Sequence, residues 1–168
     1  SMLSFSRDEG KTWSAPVEAP AALNGERHKA EWLPDGRLFI TFRSIERDPE
    51  KLKTNYERKG MGWYSEGWIA WVGTYDDLKN GREGQYRIKI AHTSLDAQDA
   101  PAATANGDTG YCGNVVLSDG TVVTSSYGIF STVRKASGAY DTDKGKLSRK
   151  TFIVSKRILP SDVEKLLK

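Results

Sequence analysis

A chain of 168 residues with 38% hydrophobic and 28% charged side chains has the length and balance of one globular domain, which excludes disorder throughout. Its net charge of +3 suits an anionic ligand, but without a basic run or nucleic-acid signature no nucleic-acid partner is expected. No apolar stretch approaches membrane-spanning length, so no membrane is expected, and the single cysteine, Cys112, rules out an intrachain disulfide.

Sixteen glycines, five tryptophans and seven tyrosines fit a β-rich chain with many turns. Residues 3–6 read as a strand feeding the turn Ser6-Arg7-Asp8-Glu9-Gly10-Lys11-Thr12-Trp13. There Asp8 can fold its carboxylate back onto backbone N–H groups, and Gly10 supplies a positive φ. Trp13 is expected to return and bury its ring under the hairpin. Pro16 and Pro20 punctuate a crossing loop. Strands over 30–33 and 37–43 flank Pro34-Asp35-Gly36, and Asp-Gly between two apolar-rich runs is a strong hairpin signal. The charged stretch 44–60 reads as a long loop, a kind that is often functional. Strands follow over 67–75 and 85–92, with Asn80-Gly81-Arg82-Glu83-Gly84 as the turn between them.

The pattern then repeats. A second hairpin has strands over 115–117 and 121–127 about Ser118-Asp119-Gly120. Leu33 and Leu117, Asp35 and Asp119, and Gly36 and Gly120 are each offset by 84, and such repetition marks radial or solenoid architecture. Residues 129–136 and 151–158 are expected to complete the second unit. Ser161 and Glu164 have capping-box spacing, which predicts a short helix over 161–168.

Ser6-x-Asp8-x-Gly10-x-Thr12-Trp13 has the spacing of the Asp box, the bacterial-neuraminidase repeat, and the chain resembles the sialidase superfamily of β-propellers. The resemblance implies an all-β, sialidase-like β-propeller with about two four-stranded blades of an incomplete ring and a short C-terminal helix. Residues 1–168 then form a single partial propeller domain. Residues 1–13 supply the last strand and Asp box of a preceding blade, 27–92 and 111–158 are blades, and 161–168 is the helix. A propeller needs about 4–8 blades to close, so either N-terminal blades are missing or copies assemble as a homo-oligomer.

Four candidate residues follow from the offset of 84 alone. Arg27 corresponds to Tyr111, and Arg43 to Tyr127, and all four sit at the edges of the hairpins that should face a central channel. The family resemblance sharpens two of them. Residues 33–43 match Leu-x-Asp-Gly-x-Leu-x-x-x-x-Arg, which makes Arg43 resemble a carboxylate-binding arginine, a guanidinium gripping a carboxylate through two parallel bonds. Tyr111, before Leu117-x-Asp119-Gly120, resembles the nucleophilic tyrosine, the noted exception to the two-carboxylate scheme. The glutamate expected to activate it falls at position 27, where Arg27 stands beside Glu26. A one-residue slip would bring Glu26 in but would also flip its face. Arg87 is a further substrate-binding candidate without a motif, and the family's acid/base aspartate belongs to a blade absent from this chain.

His28, next to Arg27, opens another chemistry. Histidine and tyrosine with arginine also suit β-elimination on uronates, where arginine neutralises the carboxylate and a base takes the α-proton. Asp108 reads as a turn cap and Asp141-Thr142-Asp143 as a solvated loop, so no metal or other cofactor is expected. Trp63, Tyr64, Trp68 and Trp71 could stack on sugars, although Trp68 and Trp71 should lie on opposite faces of one strand, one of them in the core. The expected ligand is an anionic carbohydrate and the expected setting secreted or periplasmic. Three activities stay open: a sialidase-like exo-glycoside hydrolase, a uronate lyase or rhamnosidase, and a propeller that binds glycan without turnover.

Overall fold

The two Asp-Gly turns organise the chain into antiparallel sheets. The computed structural model describes residues 1–45, 65–91, 109–128 and 152–167. Strands β1 (Met2–Leu3) and β2 (Val17–Glu18) pair across the Ser6–Trp13 turn. The first large sheet runs in chain order through β3 (Gly25–Trp32), β4 (Leu38–Ile45), β5 (Ser65–Gly73) and β6 (Tyr86–Ala91). The second is β7 (Gly110–Val116), β8 (Val122–Gly128) and β9 (Phe152–Ile158). Two short helices, α1 (Tyr75–Lys79) and α2 (Pro160–Leu166), follow β5 and β9. The described chain is therefore mostly β.

The internal repeat is a repeat of backbone. Leu33 N–H bonds the Arg37 carbonyl and Leu117 N–H the Thr121 carbonyl, both at 2.8 Å. Gly36 and Gly120 sit at φ 82° and 83°, the left-handed position that the turn requires. The carboxylates of Asp35 and Asp119 accept from the backbone N–H two residues on, at 3.1 and 2.9 Å.

β4 is buried on both faces. On one, Leu38, Ile40 and Phe42 pack with Ile69, Trp71, Ala19 and Leu23. On the other, Phe39, Ala70 and Val72 pack with Leu33 and with Val122 of the second sheet. Trp68 pairs with Arg43 and Trp71 with Ile40 in the register, so the two indoles take opposite faces as alternation requires, and both are fully buried. The sheets meet along β3 and β7, where Asn114 acts as a polar clasp. Its Nδ2 donates to the Lys29 carbonyl at 2.9 Å, and its Oδ1 accepts from Thr41 and Thr124 hydroxyls at 3.1 and 2.7 Å. At the turn end, Arg37 of the first sheet donates to Glu164 of α2 at 2.6 Å and to Asp35 at 2.8 Å, which ties the C-terminal helix across both sheets.

Several expectations need correction. Trp13 is 63% exposed rather than buried under its hairpin. Strands β1 and β2 are two residues each, too short to form a roof, and the turn closes on its own hydrogen bonds instead. The capping box at Ser161 and Glu164 does not form: the helix starts at Pro160, its N-cap residue Leu159 makes no side-chain bond, and Glu164 goes to Arg37. A capping box does form at Thr74 and Asp77, and it starts a helix between the strand expected to end at residue 75 and the turn expected over 80–84. Among the described residues the second sheet has three strands, with β9 paired directly to β8. The expected strand over 129–136, most of the 44–60 loop, Trp63, Tyr64, His92, Asp108 and residues 141–143 lie outside the described residues.

Candidate functional site

Two matching bulges build the site. In β3 the register passes from Glu26 opposite Arg43 to Lys29 opposite Thr41, so two residues face one. In β7 it passes from Gly110 opposite Tyr127 to Gly113 opposite Ser125 in the same way. The first bulged residues are Arg27 and Tyr111, at φ 63° and 49°, conformations that side-chain-bearing residues seldom adopt and that cost about 1–3 kcal/mol each. These are the residues that the offset of 84 matched. Ahead of the bulge, Glu26 stands opposite Arg43.

The two bulges touch. The Arg27 guanidinium carbon lies 3.9 Å from the centroid of the Tyr111 ring, and that ring stacks at 6.0 Å on Tyr127 with 19° between planes. Gly110 permits the approach, because a Cβ there would meet Arg27 Cδ at 2.7 Å. Tyr111 is 72% exposed and Tyr127 half-buried. Arg27 Nε and Nη1 are buried without a hydrogen-bond partner among the described residues. A charged donor left unused in this way is costly, and native structures seldom keep one without reason.

Arg43 behaves differently. It is 5% exposed and its guanidinium is ion-paired with Glu26, which stays solvent-accessible. Glu26 therefore bonds an arginine, and no carboxylate bonds the Tyr111 hydroxyl among the described residues. Arg43 lies at the same end of the hairpins as Tyr111, in the wall beneath the bulges rather than open to a ligand.

His28 and Arg87 do not join the group. His28 turns to the opposite face of the first sheet, stacks on Phe42 at 5.0 Å, and its Nε2 lies 2.9 Å from the Leu23 carbonyl. Although the residue keeps solvent contact, desolvation of the stacked ring holds its pKa below the ordinary 6.5, the Leu23 contact opposing this only in part. Arg87 lies on that face too, 5.9 Å from the Phe42 ring centroid and bonded to Ser44 Oγ. Cys112, behind Tyr111, is buried, and desolvation raises its thiol pKa.

Sequence reading missed the Asn114 clasp beneath the bulges; an asparagine directly before the β-branched pair Val115-Val116 was the available signal. The Ser6–Trp13 turn, by contrast, has the hydrogen bonds expected of it. Asp8 accepts from Thr12 Oγ1 at 2.6 Å and Thr12 N–H at 2.9 Å, and Ser6 Oγ accepts from Gly10 N–H at 2.8 Å. The Thr12 side chain, then its backbone N–H and Ser6, hold the Asp8 pKa at about 2. No group of three His, Cys, Asp or Glu among the described residues could hold a metal ion. Comparison with family models, curated proteins and solved structures found no match to this chain.

Proposed function

We propose that the chain is part of a sialidase-like propeller and belongs to a carbohydrate-active protein that engages an anionic glycan at Arg27 and Tyr111. The observation that carries this reading is the pair of unused Arg27 donors beside an exposed, stacked tyrosine. A carboxylate would draw the Arg27 guanidinium out of its buried position and accept from those donors, and a pyranose face would lie on the tyrosine rings. The propeller reading draws on the Asp-box bonding, the repeat of 84 and the adjacency of β3 and β7. A further copy of the chain, or further blades, would cover the second sheet's outer face, where Val115 and Ile153 are exposed.

In the hydrolase form of this reading, Tyr111 Oη bonds to the anomeric carbon as the glycosidic C–O bond breaks. The departing aglycone oxygen takes up a proton while the phenol gives one to solvent, and water then cleaves the tyrosyl glycoside to free the sugar and restore the phenol. Arg27 holds the neighbouring carboxylate, and Arg43 with Glu26 positions the bulge. Binding without turnover is the second reading. It is favoured by Arg27 standing where an activating glutamate is expected, and by the absence, among the described residues, of a carboxylate on the Tyr111 hydroxyl. Elimination has less support, because His28, its base, faces away.

Calorimetry with sialyllactose and with galacturonate oligomers, alongside product analysis, tests the reading. Arg27→Ala should weaken binding by about tenfold or more, as loss of a charged contact does. Under the hydrolase reading, Tyr111→Phe should abolish turnover with binding largely kept. Unsaturated, ultraviolet-absorbing products would instead mean elimination. Full affinity in Arg27→Ala would overturn the site.

A further inference from the structure

A second place on the molecule offers a ligand aromatic surface and unused positive charge. Between the Ser6–Trp13 turn and α1 lies an open cavity of about 740 Å³, lined among others by Phe5, Arg7, Trp13, Tyr75 and Lys79. Its volume is in the range of small-ligand sites. Trp13 is exposed yet fixed: its indole N–H donates to the Gly10 carbonyl at 3.0 Å, and its ring stands over that glycine. Tyr75 is held edge-on by Phe5 at 6.2 Å and flanked by Trp32 at 6.5 Å. These rings are presented in set orientations, so a ligand would lose little by ordering them.

The charge at this cavity has one sign. Arg7 and Lys79 line it, and no acidic side chain does. Neither cation makes an ion pair or side-chain hydrogen bond among the described residues, whereas Arg37, Arg43 and Arg82 are each held by a carboxylate. The lining hydroxyls of Ser6, Thr12 and Ser14 are committed within the turn. Recognition therefore falls to flat rings and two free cations, which fits a ligand with apolar faces and carboxylates spaced along it.

We propose that this rim cavity is a second glycan-binding site, taking a stretch of acidic oligosaccharide with a sugar ring on Trp13 and carboxylates on Arg7 and Lys79. The cavity stands on its own residues; the choice of an acidic glycan rests on the reading at Arg27 and Tyr111. The Asp-box turn then has a task besides closing a hairpin: its Gly10 carbonyl and Asp8 bonds hold the indole in place.

The test follows the Trp13 indole N–H resonance of the whole chain during titration with hexagalacturonate, with Trp13→Phe assigning the signal. The signal should shift saturably, and in Arg27→Ala it should shift with the same midpoint. Calorimetry in that Arg27→Ala background should show affinity weakened about tenfold or more by Trp13→Ala, and again by Arg7→Ala with Lys79→Ala. Neutral galactose oligomers should bind at least about tenfold more weakly, and thermal melts should show that each variant stays folded. A resonance that does not move, or equal affinity for the neutral oligomer, overturns the rim site. Binding that Arg27→Ala abolishes but Trp13→Ala spares removes the rim site and leaves the first reading standing. The reverse pattern supports the rim site and removes the first.

Discussion

The two large sheets share a backbone plan and fill it differently. Each has the same Asp-Gly turn, the same bulge with a left-handed first residue, and a short helix after its third strand. The first sheet stabilises that plan with Trp68, Trp71, Phe39 and Phe42, all fully buried. The second presents Val122, Thr124 and Ser126 to the interface and depends on Asn114 and its hydroxyl partners. Turn and bulge geometry thus survive a change of packing chemistry, while the bulge side chain, Arg in one and Tyr in the other, is free to differ. Repetition supplies the scaffold, and divergence at one repeated position sets a guanidinium against a phenol ring.

Substitutions can break this comparison at several strengths. Trp71→Ala should cost about 3–5 kcal/mol in a urea melt, as removal of a large buried aromatic does. Val122→Ala should cost about 1–3 kcal/mol. Equal costs would mean that the cores are not as different as their residues suggest. Asn114→Ala leaves Thr41, Thr124 and the Lys29 carbonyl without their shared partner and should cost about 1–3 kcal/mol. A double-mutant cycle with Thr41→Val should then show coupling; strict additivity would deny the clasp.

pH sharpens the comparison, because the first sheet carries two titrating groups. Desolvation against Phe42 holds the partly exposed His28 below 6.5, so below that pH the unfolded chain takes up a proton that the native chain resists. Stability should fall as pH drops from about 6.5 through the depressed native value, and His28→Gln should flatten that slope. Tyr86 is pushed the other way, to about 12, by burial and by the Glu164 carboxylate. Its contribution is complete below pH 10 and fades as pH rises toward about 12, and Tyr86→Phe should remove the fade. The smallest effect is expected at the second bulge. Tyr111→Gly relieves a strained φ but loses the Arg27 and Tyr127 contacts, so stability should change by less than about 1 kcal/mol. A loss of several kcal/mol would make Tyr111 a packing residue and weaken its assignment to the site.

What the sequence disclosed was local. Asp-Gly turns, the hydrogen bonds of the Ser6–Trp13 turn and the offset of 84 were legible because each is set by a few neighbouring residues and one glycine. The bulges were not, because only pairing with the opposite strand decides where register slips. That decision sent Glu26 to Arg43 and turned His28 to the other face, which no spacing along β3 could foretell. α1 escaped notice because five residues carry no helical period, and its cap uses Asp77 where a Glu or Gln is the usual signature. Trp13 was misjudged for a similar reason: a large ring after a turn is buried only if strands long enough to cover it follow. The partnership of Arg27 and Tyr111 was half legible, since the repeat paired them in number but not in contact.

The Arg37–Glu164 tie and the Arg27–Tyr111 pair stand at opposite ends of the same two hairpins, separated by about six strand residues or roughly 20 Å. Fastened at one end by that ion pair and midway by Asn114, the sheets hold the two bulge tips against each other through a ring and a guanidinium. An ångström in the spacing of those tips is the scale on which a carboxylate is gripped or released. Cutting the tie, by trimming α2 or by Glu164→Gln, would then register at a site that neither change touches.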